Sequence, residues 1–97
     1  MNKLYFVYIL TNYTNNVLYT GVTNNIIARV YFHRSGLGSE FTSKYHLTKL
    51  VYYEMFESIE FAIKREKAIK NLVRRKKIDL INKFNSEWED LYPKIIH

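Results

Sequence analysis

The chain has 97 residues, 47% of them apolar and 25% charged, and no cysteine. That composition specifies a globular chain with room for one hydrophobic core, and it excludes disulfides, thiol catalysis and cysteine-ligated metal centres. Fifteen Lys and Arg against nine Asp and Glu leave a formal charge of +6, which points toward a polyanionic partner, while no apolar run reaches the ~20 residues that span a bilayer.

The N-terminal stretch predicts a strand over residues 3–11 (KLYFVYILT), aromatic and β-branched. No small-residue cleavage site follows it, which argues against a signal peptide. The absence of cysteine fits a reducing, cytoplasmic setting. Asn12 to Asn16 form a polar turn, and residues 17–22 (VLYTGV) predict a second strand, so the pair reads as a hairpin. Thr23 or Asn24 is expected to cap a first helix that ends at Ser35-Gly36, with Ile26, Ile27, Val30 and Tyr31 as its apolar stripe. Residues 36–46 are expected as a loop and 47–56 as a third strand. Ser58 is expected to cap a second helix, buried through Ala62, Ile63, Ile69, Leu72 and Val73. A third helix follows over roughly 75–84, with Ile78, Ile81 and Phe84 inward, and Trp88 and Leu91 return the tail to the core. The order is β-β-α-β-α-α, an α+β domain spanning 1–97, with a hairpin and one more strand flanked by helices.

Some residues depart from this packing pattern. Glu66 falls four after Ala62, three after Ile63 and three before Ile69, on the inward edge of a helical stripe. A carboxylate there loses hydration and needs a partner: a buried basic residue, or a hard cation such as Mg²⁺ or Mn²⁺. Arg29 and His33 stand four apart on one helical face. Taken alone, an exposed polar face accounts for them. Tyr8 and Tyr19 sit mid-strand among apolar neighbours, where a tyrosine is ordinarily a core residue with its hydroxyl partnered at the edge. The pair Glu89-Asp90 reads as solvated surface.

The positive charge is concentrated. Lys64 to Lys77 hold eight Lys and Arg (Lys64, Arg65, Lys67, Lys70, Arg74, Arg75, Lys76 and Lys77) against one acid, Glu66, while the rest of the chain holds seven against eight. A basic stripe on one element is the footprint of a nucleic-acid binder, although a solvated helix face is the commoner meaning of such a run. Lys44 and Lys49 extend the track.

Read together, Val7-Tyr8-Ile9, Tyr19-Thr20-Gly21, Arg29 and Glu66 resemble the GIY-YIG nuclease superfamily. The segments FVYIL, LYTGVTNN, ARVYFHR, FTSKY, LVYYE and AIKREKAIKN are similar to its small stand-alone bacterial proteins, in order and spacing, from about Lys3 to Leu91. The resemblance implies a three-stranded antiparallel sheet with flanking helices and hydrolysis of DNA phosphodiesters with one divalent metal. It implies Tyr8 and Tyr19 as the motif tyrosines, Arg29 as a phosphate clamp, and Glu66 as the metal-binding acid. His33 lies where members often carry a tyrosine or histidine close to the nucleophile, so Tyr8, Tyr19 and His33 all stand as candidate bases. A tyrosine base needs nearby cations to lower its pKa. Lys64, Lys67, Lys70, Arg74, Arg75, Lys76, Lys77 and Lys44 would contact phosphates without reading sequence. Selectivity would then come from DNA shape, a partner protein or dimerisation. Val22 and Ala68 stand where many members carry polar side chains, which leaves a non-catalytic nucleic-acid-binding module as the alternative. An RNA-associated structural protein ranks last, because no aromatic RNA-binding signature is present.

Overall fold

The computed structural model describes residues 3–96. Strands β1 (Tyr5–Thr11) and β2 (Leu18–Thr23) form a hairpin. Helix α1 (Ile26–Arg34), a short helix α2 (Glu40–Lys44) and strand β3 (Lys49–Phe56) follow. Helices α3 (Ile59–Lys70), α4 (Arg74–Phe84) and the single turn α5 (Tyr92–Ile95) complete the described chain. The strands lie in the order β2-β1-β3, with β1 antiparallel to both neighbours. This is the expected α+β architecture with two short helices added.

Both faces of the sheet are covered, so β1 reads as an uninterrupted apolar run rather than an alternating one. Val7 and Ile9 meet Val51, Tyr52, Ala62, Ile69 and Ile81 on the side of α3 and α4. Tyr8 and Leu10 meet Ile26, Val30, Leu47 and Leu50 on the side of α1 and α5. Trp88 packs against the first cluster and Leu91 against the second, which fastens the tail to both faces as expected.

Several boundaries and stripes are corrected. The α1 cap is Asn25 rather than Thr23 or Asn24: its side chain accepts from the Ala28 N–H at 3.1 Å. Thr23 remains in β2 and holds Asn25 N with its hydroxyl. The buried row of α1 is Ile26, Val30 and His33, while Ile27 and Tyr31 are exposed. The segment 36–46 is not all loop. Ser39 caps α2 by accepting from Thr42 N at 3.2 Å, and Leu47 N returns to Thr42 O at 2.9 Å. That bond keeps Leu47 out of the ladder, so β3 begins at Lys49 and not at 47. Helix α3 is capped by Ser58 as expected but ends at Lys70, which leaves Val73 exposed outside it, and Ile63 faces outward. Phe84 is also exposed at 47%, although its edge meets the rings of Tyr52 and Tyr53. Asp90 is not simply solvated: it accepts from Leu50 N and Tyr92 N, both at 3.1 Å, and pairs with Arg34.

Candidate active site

The hairpin places Tyr8 directly opposite Gly21. The Tyr8 ring lies across that glycine so closely that a Cβ there would meet the ring tip and its hydroxyl at 2.5 Å. Glycine is required at this position by close approach. Tyr8 is therefore aimed across β2 toward the edge of the sheet, where α1 brings His33. The Tyr8 hydroxyl and His33 Nε2 are 3.2 Å apart. Tyr19 completes an aromatic triangle, its ring 6.3 Å from Tyr8 and 5.6 Å from His33. Thr20 points the other way, pairing with Ile9 on the α3 side.

Arg29, one turn before His33, is exposed and lines an open cleft of about 300 Å³ with Thr23, Asn24, Asn25, Ala28 and Phe32. Glu66 arrives from α3. The buried row of that helix is Ala62, Glu66 and Ile69, so the carboxylate sits at its centre rather than on its edge. Its exposure is 8%, and Lys70 Nζ meets it at 2.5 Å, one turn on. Arg29 and Glu66 both lie close enough to Tyr8 for their charges to act on its proton.

These surroundings tune the acids and bases unequally. Burial pushes the Tyr8 phenol well above the ordinary tyrosine value. Tyr19 and Glu66 add to the rise, and Arg29 opposes it. Among the protein's own groups, desolvation outweighs the one cation that acts on Tyr8. Burial, with help from Arg29, holds His33 below the ordinary histidine value, so the neutral imidazole is the form favoured near pH 7.

Residues 4–79 match the model of the GIY-YIG catalytic domain. The chain belongs to the GIY-YIG family. Its relatives include UPF0213 protein CPE1444 of Clostridium perfringens, 41% identical over 92 residues that cover 95% of this chain and 97% of that one. UPF0213 protein SH2523 of Staphylococcus haemolyticus is 40% identical over 77 residues, covering 79% and 93%. The solution NMR structure of UPF0213 protein BH0048 from Bacillus halodurans has a TM-score of 0.58 and 33% identity, covering 90% of this chain and 92% of that one. GIY-YIG domains are generally nucleases, which makes a nucleic acid the substrate class of the family.

The basic residues are distributed differently from a single stripe. Lys64, Lys67 and Lys70 belong to α3, and Arg74, Arg75, Lys76 and Lys77 form the first turn of α4 beyond a break. Arg65 is taken up by Glu54, with three contacts of 3.0–3.1 Å. Arg74 donates to Asn16 O at 2.8 Å, fastening the hairpin turn. Lys44 is exposed on α2, with Nζ 5.4 Å from the Tyr45 ring centre. Lys49 donates to Asn15 Oδ1. Val22 packs against the α3-side core and Ala68 is exposed.

Sequence reasoning missed three residues around His33. Its Nδ1 lies 3.0 Å from Thr42 Oγ1, Ser39 holds Thr42, and a Cβ on Gly38 would collide with the imidazole. The only signal was that Thr42 lies in the family-like segment FTSKY. Among the described residues, no helix is long and apolar enough to cross a membrane.

Proposed function

We propose that residues 1–97 act as one nuclease domain, a divalent-metal-dependent endonuclease that hydrolyses DNA phosphodiesters and selects DNA structure over sequence. The observation that carries this reading is the Tyr8–His33 hydrogen bond, with Arg29 and Glu66 within reach of its charge. A neutral imidazole joined to a buried phenol is a proton acceptor. Arg29 is the donor fork for a phosphate oxygen whose charge grows during attack.

Among the described residues no group of three His, Asp or Glu forms a metal cage. One buried carboxylate with a half-exposed ammonium partner instead fits an ion that keeps most of its shell as water and substrate oxygens, as Mg²⁺ and Mn²⁺ do. Glu66 would hold that ion, which supplies charge neutralisation at the scissile phosphate. Lys70 engages Oε2 of Glu66, so an ion bound at that oxygen would compete with the ammonium. The closed Glu66–Lys70 pair is also the observation that favours the second reading, a binding module that does not cut.

The N-terminus of α4 supports a polyanion partner. Four cations occupy its first turn, without an acid or a side-chain cap. Cations at that end oppose the helix dipole by about 0.3–1 kcal/mol each, and a phosphate backbone relieves the conflict. Recognition would thus be through backbone charge, with Lys64, Lys67, Lys70 and Lys44 extending it, in the cytoplasm, and with any further selectivity supplied by dimerisation or a partner protein.

The test uses labelled duplex, single-stranded, flapped and branched DNA and single-stranded RNA, each with Mg²⁺, Mn²⁺ or chelator. Metal-dependent cutting is expected, and Glu66→Ala should reduce it at least about a hundredfold, the loss of several kcal/mol of charge stabilisation, while sparing binding. Salt-sensitive binding without cutting would establish the second reading.

A further inference from the structure

The hydroxyl of Thr42 is buried, with three oxygen or nitrogen neighbours and a single proton to give. Ser39 O lies 3.0 Å away, His33 Nδ1 3.0 Å and Ser39 Oγ 3.1 Å. A carbonyl oxygen never donates. Unless Thr42 gives its proton to Ser39 O, two sets of lone pairs face each other across a hydrogen-bond distance. Once that proton is committed, the Thr42 oxygen can only accept from His33.

We propose that Thr42 is a positioning residue that holds His33 as its Nδ1–H tautomer, leaving the Nε2 lone pair to receive the Tyr8 phenol proton. The chain of donors runs from Tyr8 O–H to His33 Nε2, from Nδ1–H to Thr42 Oγ1, and from Thr42 O–H to Ser39 O. Gly38 is part of the device, since any Cβ there would occupy the space of the imidazole edge and of Thr42 Oγ1. The arrangement resolves the difficulty of a base whose phenol resists ionisation. A water O–H bond breaks, its proton passes to Tyr8 Oη, and the original Tyr8 proton passes to His33 Nε2. The freed water oxygen bonds to phosphorus as the bond to the leaving oxygen breaks, and that oxygen takes a proton from solvent. The imidazolium later returns its proton to water. Tyr8 is neutral before and after the step, so no free tyrosinate has to form. The other tautomer would place an N–H against Tyr8 Oη and shut this path, the same kind of fault as turning a catalytic imidazole to the wrong tautomer elsewhere.

The tautomer assignment stands on the geometry alone, whereas its catalytic use rests on the nuclease reading, so the experiment separates them. Ring ¹⁵N shifts of His33 are measured by NMR, without DNA or metal, in the wild type, Thr42→Val and Thr42→Ser. The wild type is expected to show protonated Nδ1 and bare Nε2. Thr42→Val keeps the shape but cannot accept, and its signals should move toward the Nε2–H form. Thr42→Ser should restore the wild-type pattern. A wild type with predominantly protonated Nε2 overturns the proposal whatever the variants do, as does an unchanged pattern in a folded Thr42→Val. Cleavage rates read the second half: Thr42→Val should fall about tenfold or more, the usual effect of removing a group that orients a functional side chain, with Thr42→Ser close to wild type. If no variant and no wild type cleaves, the nuclease reading fails while the shifts still decide the tautomer.

Discussion

Two polar networks flank the sheet, one partly buried and one buried, and they are built from opposite materials. On the α3 side, Tyr52 donates to Glu54, and Glu54 is gripped by the Arg65 guanidinium. Every charge there has its counter-charge inside the network, and burial with the Glu54 bond pushes the Tyr52 phenol up to about 12. On the α1 side, Tyr8, His33 and Thr42 form a chain with no formal charge of its own. A closed, charge-matched network fastens β3 to α3 and holds its one phenol proton tightly against Glu54. A neutral chain with an imidazole at its centre can accept a proton, and Arg29 beside it opens onto a cleft. The difference teaches that burial alone does not mark a reactive group: what matters is whether its proton has somewhere to go.

The largest effect that would sharpen this comparison is on rate. His33→Ala should lower DNA cleavage about a hundredfold or more, the range of a lost general base, in a protein whose circular dichroism is unchanged. A rate within threefold of wild type would mean that the α1-side chain is as structural as its counterpart. Next in size, Arg65→Ala should leave cleavage within twofold but weaken the fold. The pair is only partly buried, with side-chain exposures of 37% and 24%, so the loss is about 1 kcal/mol, read as a fall of roughly 4–8 °C in Tm. The smallest effect is in pH. Because His33 is held below its ordinary value by burial and Arg29, the unfolded chain binds its proton more readily than the folded one. The neutral form therefore contributes stability that is complete above the ordinary histidine value of about 6.5 and is lost as pH falls through and below it. Thermal melts at pH 7.5 and 5.5 should show a larger drop for wild type than for His33→Ala. An equal drop would mean that His33 is as free to take a proton in the fold as outside it.

The sequence by itself determined the three strands, the hairpin, the three longer helices after it and the caps at Ser58 and Ser35, because periodicity and turn chemistry are local. It also carried Tyr8, Tyr19, Arg29, His33 and Glu66 as residues that packing did not explain. Helix α2 was missed because its five residues show no apolar period, and its reason for forming lies in Ser39 and in the anchoring of Leu47. The inward row of α3 was misjudged at Ile63 because a helix turns only the face its neighbours cover, and Glu66 took the place an aliphatic residue would have had. Only the tertiary structure decided which partners these groups received. Tyr8 meets His33 across 25 residues of chain and His33 meets Thr42 across nine. Such pairings depend on how the hairpin, α1 and α2 converge in space. Desolvation, which sets the proton affinities of Tyr8 and His33, is likewise a property of the packed molecule and not of any local stretch of residues.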